Sequence, residues 1–179
     1  IHNVSSPFES DNINYVFVGR IDAVKGIDIL IKSFAIVLNT QANALLYIVG
    51  EYGGIFKDNY EKLLMITSDL KIDDKVIFVG FSDNPYVYMK FADCFILPSR
   101  NEGLPNVVVE SLFLGTPVAV TNSVPVIKRI VRNAVDGYVV EVDDVESLAD
   151  AMINSVKLGR VTSGYKSATK EDFQILFQK

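Results

Sequence analysis

Six short apolar runs alternate with helical periods along this chain, and few architectures can use that pattern. The runs lie at 13–18 (INYVFV), 44–49, 75–79, 94–97, 117–120 and 138–142. They are continuously apolar instead of alternating with polar residues, so each reads as a strand covered on both faces. After the first run, Ile27, Leu30, Ile31, Phe34, Val37 and Leu38 recur with the helical period. Further helices are expected over 59–70, 84–91, 126–132 and 145–158, and from Pro105 to Leu114-Gly115, with Asp144 capping the last clear one. Strand alternating with helix predicts an α/β fold: a doubly wound, mostly parallel six-stranded sheet with right-handed crossovers. The expected domain is 13–160, after a linker over 1–12 and before a tail over 161–179 in which 168–178 forms a terminal helix. No repeat or low-complexity tract interrupts it.

Open sheets of this kind bind ligands outside the carboxyl ends of their strands. The loops at that edge are 19–26, 50–54, 80–84, 98–106 and 121–125, which brings Arg20, Lys25, Glu102 and a helix start at Pro105 to one rim. Pro105 suits the first helical position, where its missing N–H costs nothing, and Gly115 suits the stop. The free amides of such a helix start attract anions. Arg20 offers a fork of donors and Lys25 a compact charge. Either alone reads as a surface cation; together, flanked by Gly19 and Gly26, they read as a diphosphate clamp that stabilises charge on a departing phosphate. No Asp-x-Asp pair occurs in the chain, so neither a bridging metal nor a cofactor is expected.

Glu110 is the second informative carboxylate. On an ordinary helix it would face solvent. Here Val107, Val108, Val109, Leu112, Phe113 and Leu114 leave little polar face, so the helix is expected to be enclosed. An enclosed carboxylate needs donors, and a ribose diol supplies two.

Composition removes several classes. A net charge of −5 and the absence of a Lys/Arg run argue against a nucleic-acid surface. The single cysteine, Cys94, starts an apolar strand and is expected to pack rather than react. The run 111–127 is uncharged, but Gly115, Pro117, Asn122 and Pro125 exclude a membrane span. The opening residues do not resemble a signal peptide. His2, the one histidine, reads as surface. The chain does not begin with Met and its first strand comes late, so a piece of a longer protein is expected.

The motifs together resemble a family. Gly19-Arg20 with Lys25-Gly26, Gly50-Glu51-Tyr52-Gly53, Val76-Ile77-Phe78-Val79-Gly80, and Glu102 with Glu110 seven residues between are similar to the group 1 (family 4) retaining glycosyltransferases of the GT-B fold. The stretch from Pro98-Ser99-Arg100-Asn101-Glu102-Gly103-Leu104-Pro105-Asn106 to Gly115-Thr116-Pro117-Val118 carries most of the likeness. The resemblance implies the Rossmann-like C-terminal, donor-binding half of such an enzyme. It implies that Arg20 and Lys25 grip the donor diphosphate beside Gly19, and that Glu102 contacts the transferred sugar. Glu110 would hold the ribose and Phe81 lie against the base. Backbone N–H groups within the stretch Leu104 to Val107, those of Leu104, Asn106 and Val107, would complete the phosphate site, with Gly103 and Pro105 also counted as nucleotide-sugar-binding. It also implies a nucleotide sugar as donor, a glycan or lipid-linked sugar as acceptor, and an acceptor-binding domain earlier in the polypeptide. Without that domain the chain is expected to be inactive; with it, cytoplasmic, at the inner face of the membrane. One departure stands out: Lys128-Arg129-Ile130 replaces an acidic residue that many members carry.

An epimerase or phosphorylase of the same fold, or a non-catalytic nucleotide-binding module, would use the same rim and stays open at this point. A paired-carboxylate hydrolase fits less well, because Glu110 lies within a helix and the two cations would have no task. A response-regulator-like sheet lacks its acidic cluster, since Gly19-Arg20 follows the first strand.

Overall fold

The computed structural model describes residues 5–9 and 11–162; His2 and the helix expected over 168–178 lie outside them. β1 (Ile13–Val18) leads through a 3-10 turn (Ala23–Lys25) into α1 (Ile27–Val37) and β2 (Ala44–Val49). A second turn (Gly54–Phe56) precedes α2 (Lys57–Asp69), β3 (Val76–Gly80), α3 (Tyr86–Phe91) and β4 (Cys94–Leu97). α4 (Asn106–Phe113), β5 (Val118–Thr121), α5 (Ile127–Ile130), β6 (Gly137–Val140) and α6 (Val145–Lys157) complete it. All six strands expected from the sequence form, each within a residue or two of its expected bounds.

They make one parallel sheet in the order β3-β2-β1-β4-β5-β6. From β1 the chain winds outward to β3, returns to lay β4 beside β1, and winds outward the other way. The order therefore reverses between β1 and β4, and a crevice opens there at the carboxyl edge. Right-handed crossovers place α1 and α2 on one face and α3 and α4 on the other; α6 crosses back to pack on α1.

Burial explains the apolar runs. Every residue of β4 and β5 is buried, as is the stretch from Asn14 to Phe17 in β1, whereas the edge strands β3 and β6 are partly exposed. Tyr15, Phe17, Phe34 and Phe95 are wholly enclosed, each worth roughly 1.5–3 kcal/mol against exposure. Cys94 is fully buried, and burial pushes its thiol upward, out of the reactive range. Ahead of β1, Phe8 packs its ring 4.7 Å from Tyr47 and 6.0 Å from Tyr88. Asp144 caps α6 as expected, its carboxylate accepting from the Ser147 amide at 2.9 Å and hydroxyl at 2.7 Å.

Two expectations about α4 need correction. The helix begins at Asn106, so Pro105 stands one place before the first helical residue, with φ −82° and ψ 64°. Nor is the helix enclosed all round. It lies on one side of the sheet and buries Val108, Val109, Ser111 and Leu112, leaving Phe113 47% exposed and Glu110 half-buried.

Candidate functional site

The loops that follow β1 and β4 flank the crevice, and backbone contact locks them together. Gly26 stands at φ +65°, and a Cβ there would fall 2.1 Å from the Pro98 carbonyl oxygen. Only glycine meets both demands, a left-handed backbone and a carbonyl in place of a side chain. The Arg100 amide donates to the Val24 carbonyl at 2.8 Å. Its guanidinium donates to the Ala23 carbonyl, forks onto Asp28 at 2.9 and 2.8 Å, and reaches Asp143 at 2.8 Å. Burial alone would push the Asp28 carboxyl upward, but the Arg100 hydrogen bonds and charge outweigh it and hold it below its ordinary value.

This seam delivers Lys25 to Glu102. The Lys25 ammonium donates to Glu102 Oε1 at 2.7 Å, and both side chains are largely enclosed. The same oxygen accepts from the Ser99 hydroxyl at 2.6 Å. Arg20 stands at the lip instead, its side chain 70% exposed and its guanidinium 3.3 Å from Asp22. Asp22 also accepts from the Lys25 amide at 3.2 Å, which fixes the turn that aims Lys25.

Gly19, Arg20, Lys25, Glu102, Leu104, Pro105, Asn106 and Val107 line one cleft. Among the described residues the amides of Leu104 and Val107 donate to no protein oxygen outside their own helix, so they are free to receive an anion at the head of α4. Phe81, 74% exposed, lines an adjoining cleft with Gly50, Glu51, Ser82 and Pro85, and Gly19 and Arg20 belong to both. Gly103 and Glu110 line neither cleft. Gly103 is exposed in the loop. Glu110 sits one turn into α4, its nearest donor the Tyr86 hydroxyl of α3 at 3.5 Å. Burial pushes the Glu110 carboxyl above its ordinary value, with only partial relief from Tyr86; the Glu110 charge in turn pushes the Tyr86 hydroxyl up.

Ser99, Tyr86 and the Arg100–Asp28 fork did not emerge from the sequence as part of this arrangement. For Ser99 a signal existed, because a hydroxyl three residues before a loop glutamate can reach it. Nothing in the spacing of Tyr86 relates it to Glu110. No three His, Cys, Asp or Glu side chains gather as metal ligands among the described residues. No helix among them is long and apolar enough to cross a membrane.

The profile of the family described as "Glycosyl transferases group 1" matches residues 2–171. The chain belongs to the group 1 glycosyltransferases. Among relatives, an N-acetylgalactosamine-N,N'-diacetylbacillosaminyl-diphospho-undecaprenol 4-alpha-N-acetylgalactosaminyltransferase of Campylobacter jejuni is 31% identical over 153 residues, covering 86% of this chain and 40% of that protein. The capsular polysaccharide biosynthesis glycosyltransferase CapM of Staphylococcus aureus is 30% identical over 159 residues, with 87% and 40% covered. HepE of Anabaena, solved in complex with UDP, superposes with a TM-score of 0.72 at 22% identity over 83% of this chain and 43% of that one. The C-terminal domain of the group 1 glycosyltransferase LpcC of Francisella tularensis gives 0.71 at 20% identity, covering 82% and 80%. This group 1 glycosyltransferase domain therefore has the Rossmann-like fold of GT-B enzymes, and it spans less than half the length of the curated relatives named here.

Proposed function

We propose that this domain binds the nucleotide-diphosphate sugar for a retaining glycosyltransferase, and that the rest of the polypeptide supplies the acceptor site. One observation carries the reading: two cations, one carboxylate and two free helix-start amides share a single cleft at the sheet's switch point. Lys25 has three ammonium protons. One is held by Glu102, which leaves two for phosphate oxygens. Arg20, exposed at the lip, closes on the diphosphate from the other side. Charge that develops on the leaving phosphate then meets donors already in place.

Glu102 acts on the sugar as an acceptor. Its Oε1 already holds two donors, so its part is to orient hydroxyl groups. Glu110 holds the ribose, whose hydroxyls supply the donors that its half-buried carboxylate lacks. Phe81, Gly19 and the loop through Gly103 frame base and phosphates, with no metal. The transfer named for the Campylobacter relative, and the diphospho-undecaprenol in its name, support a glycan or lipid-linked sugar as acceptor. With a lipid-linked acceptor, the proposed place of action is the inner face of a membrane.

Titration calorimetry of the 179-residue chain with UDP, GDP and ADP sugars tests the proposal. One nucleotide series binds and the domain alone transfers nothing. A folded chain that binds none of them overturns the reading; an isomerised free sugar from the full-length protein would replace transfer with epimerisation.

A further inference from the structure

We propose that Ser99 is a positioning residue that sets which oxygen of Glu102 is offered to the donor sugar, an assignment that rests on the donor-binding reading above. Ser99 is fully buried and lies outside the cleft lining, so it does not touch ligand. Its hydroxyl donates to Glu102 Oε1 at 2.6 Å, and Lys25 donates to that same oxygen at 2.7 Å. Among the described residues Oε2 has no hydrogen-bond partner, yet it is not sealed away from solvent. The carboxylate is thus held by one oxygen and presented by the other.

The anchor is itself anchored. Thr121, 2% exposed, donates its hydroxyl to the Ser99 carbonyl at 2.5 Å. It also lies 3.3 Å from the Leu97 carbonyl at the end of β4. The Glu102 amide donates to the Ser123 carbonyl at 3.3 Å, which ties the loop a second time to the segment after β5. The end of β5 and the loop after it thereby fix the Ser99 segment, and Ser99 fixes the carboxylate. Lys25 alone could not do this: an ammonium on a flexible stem neutralises charge but leaves the carboxylate plane free to turn. The directed hydroxyl bond supplies the missing constraint.

The test compares, by calorimetry, the affinities of the 179-residue chain for a nucleoside diphosphate and for the matching nucleotide sugar, in wild type, Ser99→Ala, Ser99→Thr and Thr121→Val. In the wild type the sugar adds affinity. Ser99→Ala keeps its affinity for the diphosphate and loses about tenfold of what the sugar adds. Ser99→Thr, which retains the hydroxyl, restores it. Thr121→Val moves the same quantity in the same direction by less, and it provides the reading if Ser99→Ala does not fold.

If the sugar's contribution survives in both Ser99→Ala and Thr121→Val, the positioning assignment is overturned while donor binding stands. An equal loss for diphosphate and nucleotide sugar, with a lower melting temperature, makes Ser99 a packing residue and also overturns it. A wild-type chain that binds no nucleotide overturns donor binding itself, and the assignment with it.

Discussion

The two glutamates of this site live in opposite circumstances. Glu102 has donors at 2.6 and 2.7 Å on one oxygen, one of them a cation. Glu110, half-buried in α4, has its nearest donor at 3.5 Å, and burial pushes its carboxyl upward. The first carboxylate is already held through one oxygen before any ligand arrives. The second is left short of hydrogen bonds, a cost the empty protein bears. On the donor-binding proposal the difference is a division of labour: a preset end for the sugar and phosphates, where geometry matters for reaction, and an unsatisfied end for the ribose, where the shortfall becomes affinity.

The largest expected effect breaks the preset end. Lys25→Ala leaves the enclosed Glu102 charge uncompensated and lowers unfolding stability by about 2–4 kcal/mol. Adding Glu102→Ala recovers most of that loss, as a urea-denaturation double-mutant cycle would show. An unchanged midpoint in Lys25→Ala would mean the pair is not set in advance.

Next in size is the unsatisfied end. Glu110→Gln weakens nucleotide binding by about tenfold or more, through loss of charged hydrogen bonds of roughly 1.5–3 kcal/mol. It also raises the melting temperature of the empty chain at neutral pH, since the buried charge is gone. If melting temperature and affinity both fall, Glu110 was not short of partners and the contrast fails.

The smallest effects are pH trends. Glu110 has a raised folded value, so its burial penalty is fully present at neutral pH and relieved as the pH falls through that value. Nucleotide binding weakens over the same interval, because the acceptor becomes protonated. Asp28 runs the other way: its folded value is held below 3.8. Its stabilisation is therefore present above 3.8 and lost as the pH falls through the lower folded value. Melting temperature against pH for wild type, Glu110→Gln and Asp28→Asn separates the two, with Asp28→Asn flattening only the acid end.

Much of the architecture was legible because local chemistry decides it. Continuous apolar runs become strands buried on both faces, and Asp144 caps its helix through a neighbour three residues on. The rim was legible too, since parallel topology alone places the loops carrying Arg20, Lys25 and Glu102 at one edge. What stayed hidden depended on partners distant in sequence. Arg100 and Asp28 lie 72 residues apart, and Lys25 and Glu102 lie 77 apart. No periodicity records that the lysine expected to serve phosphate alone is also bonded to a glutamate. The misreading of α4 has a simple physical source. An apolar helix surface was equated with enclosure, yet a helix on one side of a sheet can keep Phe113 in water, as many apolar side chains are.

The pairing of β1 with β4 joins Tyr15 to Cys94 and Val16 to Phe95, so the seam at Gly26 joins segments that α1, β2, α2, β3 and α3 separate along the chain. Such distant closure is slow, since chain entropy is spent before contacts reward it. The anion mouth therefore depends on a closure that is distant in sequence. A nascent or partly melted chain carries Arg20 and Lys25 but no opposing wall, and it has little hold on free nucleotides. On the donor-binding proposal, a donor that grips only the finished seam acts as a clasp on a non-local joint of the molecule, and its concentration sets how often that joint comes undone.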